Sequence, residues 1–238
     1  MRKVLNVGVI GVGVTGESHP QAYLAQRNVN ILSISDVNEK RLKTIAEMFK
    51  IKNYFTDYND LLSLDEIDVV SVCTPPFNHA MITCDAAAAE KNILCEKPMA
   101  LSAEEAEKMV EACRAAGVKL GICSARVRFN PAVEMAKRYI SSGKLGRVYY
   151  ARASLYRRRG RPGIDILKGS KWFLDSSKAG GGSFIDIGCY DIDMMLYLLD
   201  DPEPYAVSAV TFKGIESPSE IRTKFDVEEH ASVFVRFA

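Results

Sequence analysis

The feature that most restricts this chain lies at its start. Residues 4–10 read Val-Leu-Asn-Val-Gly-Val-Ile, a short run rich in β-branched side chains, and Gly11-Val12-Gly13-Val14-Thr15-Gly16 follows without a break. A helix-compatible stretch, residues 17–26, comes next. A buried strand, a tight glycine turn and a helix start together place backbone N–H groups and the positive end of a helix against a pyrophosphate. Gly11 permits the sharp turn. Gly13, with Val14 and Thr15 beside it, lets the backbone approach phosphate, and Gly16 lets helix and strand pack closely. Glycine-rich turns are common in purely structural roles, so the flanking context decides. Asp36 lies 20 residues beyond Gly16, at the end of a second apolar run. A carboxylate there accepts hydrogen bonds from an adenosine ribose and repels a 2′-phosphate. The expected cofactor is NAD, with Lys40 and Arg41 close enough to leave NADP open.

Bulk properties remove several alternatives. The chain has 238 residues, room for one large domain or two small ones. Its 47% hydrophobic and 26% charged content is that of an ordinary soluble protein, and its net charge of +1 gives no global field for nucleic acid or membrane. No apolar run is long enough to span a bilayer. Met1-Arg2-Lys3 resembles the start of a secretory leader, but the glycine turn and Glu17 interrupt it, so a leaderless cytoplasmic protein is expected. The six cysteines form no Cys-x-x-Cys pair, and His19, His79 and His230 have no zinc-ligand spacing. No metal is expected.

Strand and helix patterns then alternate. Residues 29–35 read as a strand, 38–50 as an amphipathic helix carrying Leu42, Ile45, Ala46 and Phe49, 53–55 as a strand and 57–64 as a short helix. Residues 67–73 form an apolar strand ending in Thr74-Pro75-Pro76-Phe77-Asn78-His79, where two prolines stop the strand and open a helix over 78–90. A strand over 92–95 leads into Glu96-Lys97-Pro98. Ser102 and Glu105 form a capping box for a helix that runs to Ala116 and stops at Gly117, and 118–123 is a sixth strand. This grammar predicts a Rossmann-type, doubly wound parallel sheet over residues 1–124, with ligands bound at the carboxyl ends of the strands. The glycine turn, Asp36, Thr74 to His79, Glu96 to Pro98 and residues 124–128 all fall there.

Residues 125–238 read as an α+β domain with a mostly antiparallel sheet. A helix over 130–142 is closed by Gly143, and residues 147–156 alternate like a strand. Four arginines crowd residues 157–161, and Lys171-Trp172-Phe173 follows. Gly180-Gly181-Gly182 leads into an apolar helix over 183–199, and 205–212 and 229–237 read as strands. With a near-neutral chain and no interleaved aromatics, the arginines suit a solvated loop, a subunit contact or an acidic substrate better than nucleic acid. The sequence stops at Ala238 within an alternation of Ala231, Val233, Val235 and Phe237, so a shortened chain with an exposed sheet edge is expected.

Several stretches together resemble one family: Gly11-x-Gly13-x-x-Gly16-x-x-His19, Thr74-Pro75-x-x-x-His79, Glu96-Lys97-Pro98, Arg128-Phe129-x-Pro131, and Gly180-Gly181-Gly182 followed by Asp186-x-Gly188-x-Tyr190-x-x-Asp193. The chain resembles the glucose–fructose oxidoreductase, inositol dehydrogenase and rhizopine-catabolism (Gfo/Idh/MocA) oxidoreductases over nearly its whole length. The resemblance implies an NAD(P)-dependent enzyme acting on a hydroxyl or carbonyl of a sugar, cyclitol or related polyol, and a homo-oligomer built through the C-terminal sheet. It also implies that Thr74, Pro75, His79 and Glu96 join the glycine turn and Asp36 around the cofactor, and that Arg128 contacts substrate. Where the inositol-dehydrogenase branch has histidine, this chain has Tyr190, as in the glucose–fructose oxidoreductase branch.

Oxidising an alcohol requires an acceptor for the hydroxyl proton and a group that stabilises the developing oxyanion. Lys97, at the end of the fifth strand, suits the second task and favours a neighbouring phenolate. Tyr190 suits the first. Asp186, four residues before Tyr190 on the same predicted helix, suits substrate binding or orientation. Bland readings stand beside these. Lys97 could be a solvated surface residue, Tyr190 core, and Asp186 a cap or salt-bridge partner. His79 could fill the start of its helix, His19 could pack behind the turn, and Trp172 could be core or could line the nicotinamide pocket. Two rival functions share the scaffold: an NAD-dependent glycosidase using transient hydride transfer, and a non-catalytic regulator binding dinucleotide or sugar.

Overall fold

The computed structural model describes residues 4–157, 159–214 and 224–238. Met1-Arg2-Lys3 and Arg158 lie outside the described residues, and with them the leader-like start and one member of the arginine run. The chain divides into two units, Met1–Cys123 and Ser124–Ala238.

In the first unit, β1 (Leu5–Ile10), β2 (Val29–Ser35), β3 (Asn53–Phe55), β4 (Val69–Val72), β5 (Asn92–Cys95) and β6 (Leu120–Ile122) form one parallel sheet in the order β3-β2-β1-β4-β5-β6. The connecting helices are α1 (Val14–Leu24), α2 (Glu39–Phe49), α3 (Tyr58–Leu62), α4 (His79–Ala88) and α5 (Ala103–Ala115). The Rossmann-type expectation is met. Strand order reverses between β1 and β4, which is where such sheets open a crevice for ligand. Apolar residues on both faces of β1 explain its central place. Val7 and Val9 join Ile34, Leu42 and Ile45 in one buried cluster, while Ile10 joins Leu61, Val70, Val72, Ile82 and Met109 in the other. Gly8 keeps that second side close, since a Cβ there would lie 2.7 Å from the Leu61 side chain.

Caps fix the helix starts. Asn38 accepts from the Arg41 N–H at the head of α2. Ser102 Oγ accepts from the Glu105 N–H at 3.2 Å, while the Glu105 carboxylate reaches back one residue further than the usual box, to the Leu101 N–H at 3.0 Å. A 3-10 turn, Pro76–Asn78, intervenes before α4, because two prolines favour an extended entry.

The second unit contains α6 (Pro131–Ser141), capped by Asn130 and ended by Gly143 at φ +72°, a four-residue α7 (Ser176–Ala179) and α8 (Cys189–Leu198). Antiparallel strands β7 (Pro204–Phe212) and β8 (His230–Phe237) complete it. Two expectations need correction. Residues 147–156 are not a strand: alternation alone does not make one without a neighbour to take its backbone hydrogen bonds, and among the described residues none pairs with it. The apolar helix expected over 183–199 opens as a π turn, Phe184–Gly188, before α8 begins. Among the described residues no helix is long and apolar enough to cross a membrane.

Candidate active site

The glycine turn is built for close approach. Gly11 has φ +87°, and a Cβ there would lie 2.9 Å from the Thr74 nitrogen, so the turn rests on the end of β4. At Gly16 a Cβ would stand 1.9 Å from the Gly11 carbonyl oxygen. Gly13 is different, with nothing within 4 Å of a built Cβ. Gly13, Val14 and Thr15 are exposed, and no side chain caps the start of α1. Uncovered N–H groups at the positive end of a helix fit a pyrophosphate.

Asp36 stands beside this turn at the end of β2. Its Oδ2 accepts from the Val12 N–H and its Oδ1 from the Asn38 N–H, both at 2.8 Å. The carboxylate is thereby fixed, and each oxygen keeps a further lone pair for a ribose hydroxyl. Arg41, which left NADP open, is committed elsewhere: its Nε donates to the Val12 carbonyl at 3.0 Å and its guanidinium pairs with Glu17. Lys40 remains exposed.

At the end of β4, Thr74 meets the glycine turn and Pro75 opens the 3-10 turn. The Thr74 hydroxyl is buried without a hydrogen-bond partner among the described residues. His79 is enclosed. Its ring is 0% exposed, with Nδ1 2.8 Å from the Pro98 carbonyl oxygen and Nε2 2.8 Å from that of Thr74. Among the described residues, both ring nitrogens thus face backbone carbonyls. Burial is the largest influence on its pKa and pushes it below the usual value, against the opposing pull of the carbonyls and Glu96.

Glu96 and Lys97 follow β5. The buried Glu96 carboxylate is shared among three donors. Oε1 lies 3.1 Å from His19 Nε2, Oε2 accepts from the Lys97 N–H at 3.1 Å, and the Cys123 thiol also hydrogen-bonds it. Burial raises its pKa, but these donors together outweigh burial and hold the carboxyl below its usual range. His19, expected to pack behind the turn, thus has a polar partner as well as an edge contact with Tyr23. The donor atoms of His19, Glu96 and Cys123 lie within 4.8 Å of one another, and their mutual hydrogen bonds account for that grouping.

In the second unit, Asp186 sits in the π turn and Tyr190 early in α8. The π turn breaks the 3.6-residue register that put the two on one face, and such turns recur at functional sites. Arg126, not singled out from sequence, places its guanidinium 4.6 Å from the centre of the Tyr190 ring, within cation–π range. Arg128, expected to contact substrate, makes a bidentate pair with Asp193 at 2.8 and 2.9 Å and lies over the Tyr197 ring. It is occupied in fastening its segment to α8. Trp172 stacks on Phe173, with centroids 3.7 Å apart. Within the arginine run, Arg161 pairs with Asp165 and Glu229 at 3.0 and 2.9 Å. Sequence gave no sign of Glu228, whose carboxylate accepts from the Gly182 and Phe184 N–H groups and caps the π turn from 46 residues away.

Comparison with known proteins gives the family and the fold. The family model described as "Oxidoreductase family, NAD-binding Rossmann fold" matches residues 5–123, and that of the GFO/IDH/MocA C-terminal domain matches residues 133–238. Levoglucosan dehydrogenase of Pseudarthrobacter phenanthrenivorans is 31% identical over 98% of this chain and 65% of its own length. D-glucoside 3-dehydrogenase of Escherichia coli (strain K12) is 30% identical over 89% of this chain and 58% of its own. The chain therefore spans about three-fifths of the length of these relatives. A solved structure of levoglucosan dehydrogenase with NADH and levoglucosan superposes with a TM-score of 0.83 at 30% identity, covering 98% of this chain and 64% of that one. The chain belongs to the Gfo/Idh/MocA oxidoreductase family, and its first unit is the family's NAD-binding Rossmann fold.

Proposed function

We propose that this chain serves an NAD-dependent dehydrogenase acting on a hydroxyl of a sugar, cyclitol or related polyol. One observation carries the reading: within a single sheet, the exposed start of α1, the fixed Asp36 carboxylate and the Glu96-braced Lys97 all occupy carboxyl ends of strands. The nicotinamide, when bound, supplies the hydride acceptor. Gly13, Val14 and Thr15 hold the pyrophosphate, Asp36 the adenosine ribose, and the Thr74–Pro75 turn and Glu96 shape the rim beside them. Asp36 disfavours a 2′-phosphate, and Arg41 is already engaged, so NAD is preferred over NADP. Lys97 stabilises negative charge on the reacting oxygen, Tyr190 receives its proton, and Asp186 orients the substrate through a neighbouring hydroxyl. The activities for which the relatives are named support the substrate class. The fully exposed β7, with Tyr205, Val207, Val210 and Phe212, supports assembly of copies through the sheet.

The test is a panel of levoglucosan, a simple D-glucoside and myo-inositol, each with NAD and with NADP, followed by absorbance of reduced nicotinamide. Turnover with at least one sugar and NAD is expected. Lys97→Ala should lower it by at least about 100-fold while NAD binding changes little. Full turnover in Lys97→Ala removes Lys97 from the mechanism. Release of sugar from a glycoside without net reduced nicotinamide would favour glycosidase chemistry.

A further inference from the structure

On this dehydrogenase reading, we propose that His79 is a positioning residue for Lys97, acting through Pro98. Lys97 sits between two pinned neighbours. On one side, the Glu96 carboxylate is held by His19 and Cys123 and itself holds the Lys97 N–H. On the other, proline has no N–H to donate, so the carbonyl of Pro98 is its backbone handle. His79 Nδ1 reaches that carbonyl at 2.8 Å. The other ring nitrogen lies 2.8 Å from the Thr74 carbonyl, at the end of β4 beside the glycine turn. A rigid, fully buried ring therefore stands between the segment after β5 and the one after β4, with one N–H to give to one of the two carbonyls. Lysine is long and flexible, and its aim depends on where its backbone is held. A displacement of about 1 Å in a catalytic group costs on the order of 100-fold in rate.

The hydrogen-bond inventory makes this specific. A neutral imidazole carries one N–H and cannot donate to two carbonyls at once. If His79 serves Lys97, its proton is on Nδ1 and points at Pro98. An asparagine amide nitrogen reaches roughly the place of Nδ1, and a glutamine amide nitrogen that of Nε2. His79→Asn should keep the bond to Pro98, whereas His79→Gln should place its donor at Thr74 and leave the Pro98 carbonyl without one.

The experiment uses the full chain with its lysines reductively ¹³C-methylated and the Lys97 resonance assigned through Lys97→Arg. His79→Gln should shift that resonance and lower kcat on the order of 100-fold, with the affinity for NAD kept within about three-fold. His79→Asn should stay near wild type in both respects. An unchanged Lys97 resonance in His79→Gln overturns the proposal, and so does equal loss of NAD affinity in both variants, which marks a merely structural residue. If neither variant folds, the ¹⁵N imidazole spectrum of the wild-type protein decides: a proton on Nδ1 is expected, and a proton on Nε2 overturns it. The resonance is read without turnover, so the outcome is separable from that of the activity panel.

Discussion

Single residues show how one motif divides its work. Gly13 and Gly16 belong to the same turn, yet a side chain would meet open space at the first and a backbone oxygen 1.9 Å away at the second. Gly13 has φ −65°, which alanine tolerates. Gly13→Ala should therefore leave thermal stability nearly unchanged while weakening NAD binding by at least about ten-fold, because the new methyl occupies the approach of the phosphate. Gly16→Ala should lower both, with a stability loss of about 1–3 kcal/mol or more, because the collision is with backbone and α1 must move off β1. Paired melting curves and NAD titrations check this. Equal melting temperatures in the two variants would mean that the second collision is relieved cheaply. The same contrast separates Arg41 from Asp36. Both lie where sequence places the ribose, but Arg41 braces the turn while Asp36 keeps lone pairs for a ligand.

Elements that depend on local chemistry were legible in the sequence, and those that depend on a distant partner were not. The Rossmann half follows from period-two and period-3.6 patterns, prolines and caps, each a matter of a few neighbouring residues. Residues 147–156 have the period of a strand but lack a described neighbour, so pattern alone misassigned them. The contacts of His79 with Pro98 and of Arg128 with Asp193 are not legible in the sequence, because the partners lie 19 and 65 residues away. Glu228 left no signal at all, since a carboxylate capping a turn 46 residues earlier looks like any surface acid. The Arg128–Asp193 pair gives this a measurable form. It is bidentate and only partly exposed, at 30% and 16%, so it is worth more than a surface ion pair but is discounted for solvent screening. Arg128→Ala should cost the second unit about 1–2 kcal/mol. A double-mutant cycle with Asp193→Asn should show coupling of about 1 kcal/mol, and additive effects would mean that the pair contributes nothing.

At the scale of the whole molecule, the strand ends of the first unit carry two buried groups that make it acid-sensitive. His79 and Glu96 both lie buried at strand ends, and both have pKa values held below the usual 6.5 and 4.5. In each case the unfolded chain binds protons at a higher pH than the folded one, so stability rises with pH through the window. The contribution of His79 is complete above pH 6.5 and is lost as pH falls through its depressed folded value. That of Glu96 is complete above 4.5 and is lost below it. The first unit should thus weaken in two steps on acidification, the upper one belonging to the histidine. The chain's single tryptophan, Trp172, lies in the second unit. Hydrogen exchange resolved to peptides of β4, β5 and α4 is the measurement that isolates the first. Protection there should decline as pH falls below 6.5 in the wild-type protein, and the decline should flatten in His79→Asn, whose amide does not titrate. If the upper step persists undiminished in His79→Asn, another group carries it, and the buried imidazole is not what ties the stability of these strand ends to pH.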